Sequence, residues 1–211
     1  EGRGPGPAAG GVLSRNRTAR QTAPLLAAAL AFLLAAAWLY GRIYSIEADN
    51  SNLPQAAEAW LSRGTDGPPA YRVEPQASLD IGKQRFVLAE LIDPADLSLG
   101  LLRLERGLNG RYKLTGCGWG GGSFRPRVVR EGDRVCYLLG GRNRLLGIAS
   151  ASFTMEDDAL GRISYRMEIP AGDYFLTMTE IDPRFQADRE KPGSLRLYDR
   201  AGADVTERAN P

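Results

Sequence analysis

Between Arg20 and Arg42 the chain runs for 21 residues without a charge, QTAPLLAAALAFLLAAAWLYG. No other feature restricts the fold as much. Wound as an α-helix, the stretch is about 31 Å long, which matches a hydrocarbon core of about 30 Å. It is apolar on every face, whereas a helix packed on a soluble protein keeps a polar stripe. The pattern predicts a transmembrane signal-anchor helix over 21–46. Trp38, Tyr40 and Tyr44 mark its far end, because these rings favour the headgroup layer. Pro24 is expected in the first turn, where its missing N–H costs little.

The flanking charges set the orientation. Arg15, Arg17 and Arg20 precede the span, whereas Arg42 is followed by Glu47 and Asp49. The positive-inside bias keeps the N-terminus in the cytoplasm and exports the rest, a single-pass cell-membrane topology in contact with lipid. Residues 1–20 then form a basic cytoplasmic tail, disordered because EGRGPGPAAGGV has nothing to bury. A competing reading is a signal peptide cut after Ala35-Ala36-Ala37, which would release a secreted protein. The aromatic band beyond that cut favours the anchor. Ala23, Ala27, Ala31 and Ala35 recur every fourth residue, a small-residue stripe that lets helices approach closely in lipid and points to a dimer or to docking on a membrane subunit. An alanine-rich segment also yields such rows by composition alone.

Composition excludes much chemistry. The chain has no histidine, which rules out Ser-His-Asp and Cys-His nucleophile systems, HExxH zinc sites and a histidine pH switch within it. Lys83, Lys113 and Lys191 are its only lysines, and none follows a serine at the Ser-x-x-Lys spacing. Of 27 basic and 25 acidic residues, four arginines and one glutamate lie in 1–40, leaving 23 basic and 24 acidic residues for 41–211. That near-neutral body gives no bulk attraction to nucleic acid. No metal or cofactor motif is present. Met155-Glu-Asp-Asp-Ala lacks the alternating ligands and the glycine of a calcium loop.

After the span, residues 47–70 read as a short helix and a linker. Asn52 and Gln55 suggest a capping box, Leu53, Ala56, Ala57, Trp60 and Leu61 an apolar face, and Thr65 to Ala70 (TDGPPA) a linker or turn. From Tyr71 the pattern becomes β. Strands are expected at Arg85–Ile92, Leu101–Glu105, Arg111–Leu114, Arg127–Arg130, Arg134–Leu139, Leu145–Phe153, Arg162–Ile169, Asp173–Glu180, Ser194–Arg200 and Asp204–Glu207. Turn signals such as Leu108-Asn-Gly110, Glu131-Gly-Asp133 and Gly140 to Asn143 separate them. Short strands at this spacing predict a mainly β domain over 71–211, a sandwich or small barrel.

Several constellations could carry function. Cys117 and Cys136 are the only cysteines; in an exported domain they are expected to form a disulfide across neighbouring strands. Gly116 to Gly122 (GCGWGGG) contains a formal GxGxxG, but no helix pattern follows, so it reads as a mobile loop or bulge. That loop presents Trp119 and Phe124 beside Arg125, Arg127, Arg142 and Arg144. Aromatic rings among arginines suit an anionic or sugar-like ligand: a wall polymer, a lipid headgroup or the acidic loop of an envelope protein. The alternative is a solvated strand face over core aromatics. Glu90, Asp93 and Asp96, with Glu156, Asp157 and Asp158, are the acids from which a carboxylate-dependent hydrolase of wall material would have to be built.

The segments FVLAELID (Phe86 to Asp93), RGLNGRYK (Arg106 to Lys113) and YLLGGRN (Tyr137 to Asn143) resemble small uncharacterised membrane-anchored proteins of Bacillus-like Gram-positive bacteria. The resemblance covers about a third of the chain. It implies a one-membrane envelope and carries over no active-site residue. The resulting expectation is a membrane-tethered, non-catalytic binding or accessory protein without a cofactor. The alternatives are the hydrolase above and a small subunit of a membrane complex.

Overall fold

The structure is a computed structural model that describes residues 15–63, 71–93, 97–120, 122–157, 160–185 and 194–209. The glycine- and proline-rich start and the linker at 65–70 lie outside the described residues. The chain divides into two compact units, one ending at Ile43 and the other beginning at Tyr44.

The first unit is helix α1, Arg15–Ile43. Its stretch Pro24–Ile43 is long and apolar enough to cross a membrane, and none of it is buried within the protein. Leu25, Phe32, Leu33 and Trp38 are each at least 60% exposed, which in water would be a large uncompensated apolar area. Two details differ from the sequence reading. Arg15, Arg17 and Arg20, expected in a disordered tail, are helical. Pro24 is therefore interior and not in the first turn, so its ring nitrogen cannot donate to the carbonyl one turn back. At the far end the Arg42 guanidinium lies 5.1 Å from the centre of the Trp38 ring, one helical turn away.

The second unit is mainly β, as expected, and its sheets are open and antiparallel. Strands β1 (Arg72–Ile81), β2 (Gln84–Ile92), β3 (Leu97–Arg106) and β4 (Tyr112–Gly120) form a four-stranded meander. Strands β5 (Phe124–Glu131), β6 (Arg134–Arg142) and β9 (Tyr174–Ile181) form a second sheet with β6 central. Strands β7 (Ile148–Asp157), β8 (Gly161–Glu168) and β10 (Leu195–Asp199) form a third, with β7 central. Helix α2 (Leu53–Leu61) and the short α3 (Thr206–Ala209) complete the unit.

The burial pattern of β6 shows how the layers stack. Val135, Tyr137 and Leu139 point into a core shared with Phe153, Met155 and Leu197 of the third sheet. The alternate residues Cys136 and Leu138 point into a core shared with Phe86, Leu88 and Leu101 of the first sheet. Because successive side chains of a strand face opposite ways, the middle sheet is covered on both sides. The first sheet is covered on its other face by Leu53 and Ala57 of α2, which pack with Val87, Leu91 and Leu102. The result is a three-layer sandwich.

Local corrections follow from this stacking. Gly140-Gly141 does not turn the chain but lies inside β6, opposite Arg125 and Phe124. A Cβ on Gly140 would come within 2.9 Å of Leu88, and one on Gly141 would strike the Phe124 ring. The glycines let neighbouring layers close on β6. The glycine run at 116–120 is likewise strand, paired with β3 through a bulge at Thr115. Asp204–Glu207 is not a strand: Asp204 makes a single bridge to Tyr198 and α3 begins two residues on. Asn52 stands at the start of α2 without a side-chain cap. Its Oδ1 instead accepts from the Glu47 N–H at 2.8 Å and its Nδ2 donates to the Ser45 carbonyl at 2.9 Å, so the expected capping box does not form.

Candidate functional site

β4 and β5 follow one another but belong to different sheets, and a concavity of about 270 Å³ opens between them. Leu101 and Gly118 line one side, Pro126 and Arg127 the other, with Trp119, Phe124 and Arg125 around them. Glycine makes the space: a Cβ built on Gly116 or Gly118 meets nothing within 4 Å. Trp119 is half exposed, and its ring centre lies 6.5 Å from that of Tyr71, tilted by 54°. The contact positions one edge of the indole while the rest meets solvent.

Four of the six residues singled out from the sequence thus meet at one place, but they do different work. Phe124 is buried and its ring centre lies 6.1 Å from that of Phe175, so it belongs to the core and not to a ligand surface. Arg125 is half-buried and turned inward. Its Nε donates to the Leu99 carbonyl at 2.7 Å, and its two terminal nitrogens donate to the carbonyls of Phe124, at 2.7 Å, and of Gly120. Burial, and then the nearby positive charge of Arg142, pull its pKa below the usual guanidinium range. Arg125 joins the end of β4 to β3 and β5, and each of its three nitrogens donates to a backbone carbonyl. Arg127 is exposed, and among the described residues it has neither an acidic partner nor a side-chain hydrogen bond.

The other arginines between Arg125 and Arg144 are engaged elsewhere. Arg142 donates to Glu90 at 3.1 Å, and Tyr174 donates to the same carboxylate oxygen at 2.7 Å. Glu90 lies on β2 and the other two on the middle sheet, so the cluster ties two layers together. Burial, and then the hydrogen bond to Glu90, raise the Tyr174 pKa. Arg144 is exposed, 3.9 Å from an oxygen of Asp173. Arg130 donates to the carbonyls of Pro183 and Phe185, and Arg134 pairs with Glu180. Of these arginines, Arg127 is the one that lines the concavity with its charge unmet by any described residue.

The cysteines do not form the expected disulfide; both are free. Cys117 on β4 packs toward the α2 side of the first sheet, whereas Cys136 on β6 lies in the core between the first and middle sheets. The first sheet separates them, and a disulfide needs Cβ atoms about 4 Å apart. Sequence spacing cannot show that β4 and β6 belong to different sheets.

Of the acids named from the sequence, Glu90 and Glu156 lie on different sheets. Glu90 is committed to Arg142 and Tyr174, and Glu156 pairs with Arg162 across β7 and β8. Asp96 and Asp158, and the side chain of Asp157, lie outside the described residues. A concavity of about 590 Å³ beside β10 does contain Asp204 and Glu207, which the sequence reading missed. The Asp204 carboxylate accepts from both the hydroxyl and the N–H of Thr206, which hold its pKa below the usual range. That favours the ionised form, the opposite of what a general acid needs.

In helix α1, Ala27, Ala31 and Ala35 are exposed along one row, while the side chain of Ala23 lies outside the described residues. No protein-family model matches the chain, no curated protein matches it, and no solved structure matches it.

Proposed function

We propose that this chain is a membrane-tethered envelope protein whose β-unit lies outside the cytoplasm and binds an anionic ligand or partner at the β4–β5 concavity, without catalysing a reaction. Helix α1 supports tethering, and the arginines before it against Glu47 and Asp49 after it support an N-terminus inside. The likeness of three segments to membrane-anchored proteins of one-membrane bacteria agrees with that placement. The observation that carries the binding role is that half-exposed Trp119 and exposed Arg127, whose charge no described residue neutralises, both line this concavity. An open guanidinium and an aromatic residue lining one concavity suit a carboxylate or phosphate attached to an apolar or sugar-like body.

The test is capture of envelope components by the full-length chain in detergent micelles, compared with a Trp119→Ala/Arg127→Ala double variant. Both side chains are exposed, so the thermal midpoint should stay within a few degrees of the parent. Capture of at least one component should fall by about tenfold or more. Equal capture of every component by the two proteins would remove the concavity from consideration.

A further inference from the structure

Each open sheet has two edges, and an edge strand offers a row of unpaired N–H and C=O groups to any extended chain. Proteins blunt such edges with charges, proline, bulges or a covering segment. Five of the six edges here are managed in these ways. β1 carries Pro75, a bulge between Pro75 and Ala77, and the charges of Arg72, Glu74 and Asp80. β5 carries Pro126 and four charged residues, and β8 carries Arg162, Arg166 and Glu168. β9 packs beside β1 and β8. β10 is covered by the C-terminal segment, where the Val205 N–H donates to the Leu197 carbonyl at 2.8 Å.

β4 differs. Its first half is guarded by the bridge from Tyr112 to Ile46, the charge of Lys113 and the bulge at Thr115, but from Gly116 to Gly120 it holds no charge, proline or bulge. Among the described residues, no backbone–backbone hydrogen bond joins 113–120 to anything but β3, and the Gly120 carbonyl is taken by the Arg125 side chain. Gly118 and Trp119 of this strand line the concavity.

We propose that the β4 edge receives an extended, acidic peptide segment of another protein, which adds as a further strand to the first sheet. The proposal rests on the binding role assigned above to the concavity and names its partner's chemistry. Two faces of β4 set the pattern of the incoming strand. Gly116, Gly118 and Gly120 bear no side chains on the face toward β5, so residues of the new strand on that face have room and meet Arg127. On the opposite face Leu114, Cys117 and Trp119 offer apolar contacts, with Tyr71 beyond Trp119. A strand alternating acidic and apolar residues satisfies both faces, while its main chain supplies the hydrogen bonds that the edge lacks. A second copy of this chain fits less well, because it would bring another Arg127 to the edge where the charge calls for an acid.

The probe is an acetylated, amidated peptide of alternating valine and glutamate, as long as β4, titrated into the full-length chain in detergent micelles. Two companions carry N-methyl groups on every valine or on every glutamate. Each keeps its side chains and loses the N–H donors of one strand edge. The parent peptide is expected to bind and to slow amide exchange along residues 113–119. One of the two methylated peptides should bind at least about tenfold more weakly, and Arg127→Glu should lower parent affinity by a similar factor. Equal binding of all three peptides, with the Arg127→Glu loss retained, overturns strand addition and leaves the concavity as an acid-binding site. No binding of the parent peptide also overturns strand addition, and the capture experiment then judges the concavity by itself. Binding that slows β4 exchange but ignores Arg127→Glu overturns the acidic specificity.

Discussion

Arg125 and Arg127 stand two positions apart on one strand, share a sequence neighbourhood and have opposite fates. The guanidinium of Arg125 reaches three backbone carbonyls and is spent on structure, while that of Arg127 stays in solvent. A buried cation that meets its donor requirement with carbonyls holds a corner of the fold; an exposed one is available to a ligand. Cys117 and Cys136 show the same dependence on surroundings. Burial pushes the Cys117 thiol up to about 12 and raises that of Cys136, so near neutral pH both are protonated and poorly nucleophilic. The expected outcome is that the native chain resists alkylation by iodoacetamide at mildly alkaline pH. The same chain, denatured without reductant, should take up two alkyl groups by intact mass. Uptake of none would mean that the two sulfurs are joined after all.

At the scale of elements, β6 decides whether three layers can stack. Its alternate residues serve two cores, and Gly140 and Gly141 leave no bulk where those cores close on it. Adding one methyl at Gly141 would drive Phe124 and Phe175 apart, since a Cβ there would lie only 3.0 Å from Cε1 of Phe175. Gly141→Ala is therefore expected to destabilise the unit by about 1–3 kcal/mol, the usual cost of overpacking a core. A urea titration checks this: the midpoint should fall with the slope unchanged. The glycine pair also shows where sequence reasoning fails. Gly-Gly beside Arg-Asn carries every local sign of a turn, and only the approach of Leu88 from one sheet and of Phe124 and Phe175 on the other side makes it a strand interior. β2 was easier to read because its run FVLAELI is apolar apart from Glu90, as suits a strand covered on both faces.

At the scale of the molecule, the break at Ile43 separates a helix whose apolar stretch is unburied from a unit with its own three cores. A chain beginning at Tyr44 should remain in the aqueous phase, keep its β circular dichroism and melt within about 4 °C of the full-length protein, a shift that corresponds to roughly 1 kcal/mol at this size. The full-length chain should partition with detergent. Loss of the β signal on truncation would show that the unit depends on α1.

The amino-acid sequence alone determined the apolar helix, the change to β structure near Tyr71 and the neighbourhood of Trp119 and Arg127, because hydrophobic period, charge gaps and turn residues are local properties. It could not pair Cys117 with the right side of a sheet, turn Arg125 inward, or tell the open edge of β4 from the guarded ones. Those properties depend on which strands become neighbours and on what covers each face, and contacts between residues far apart in the chain set both.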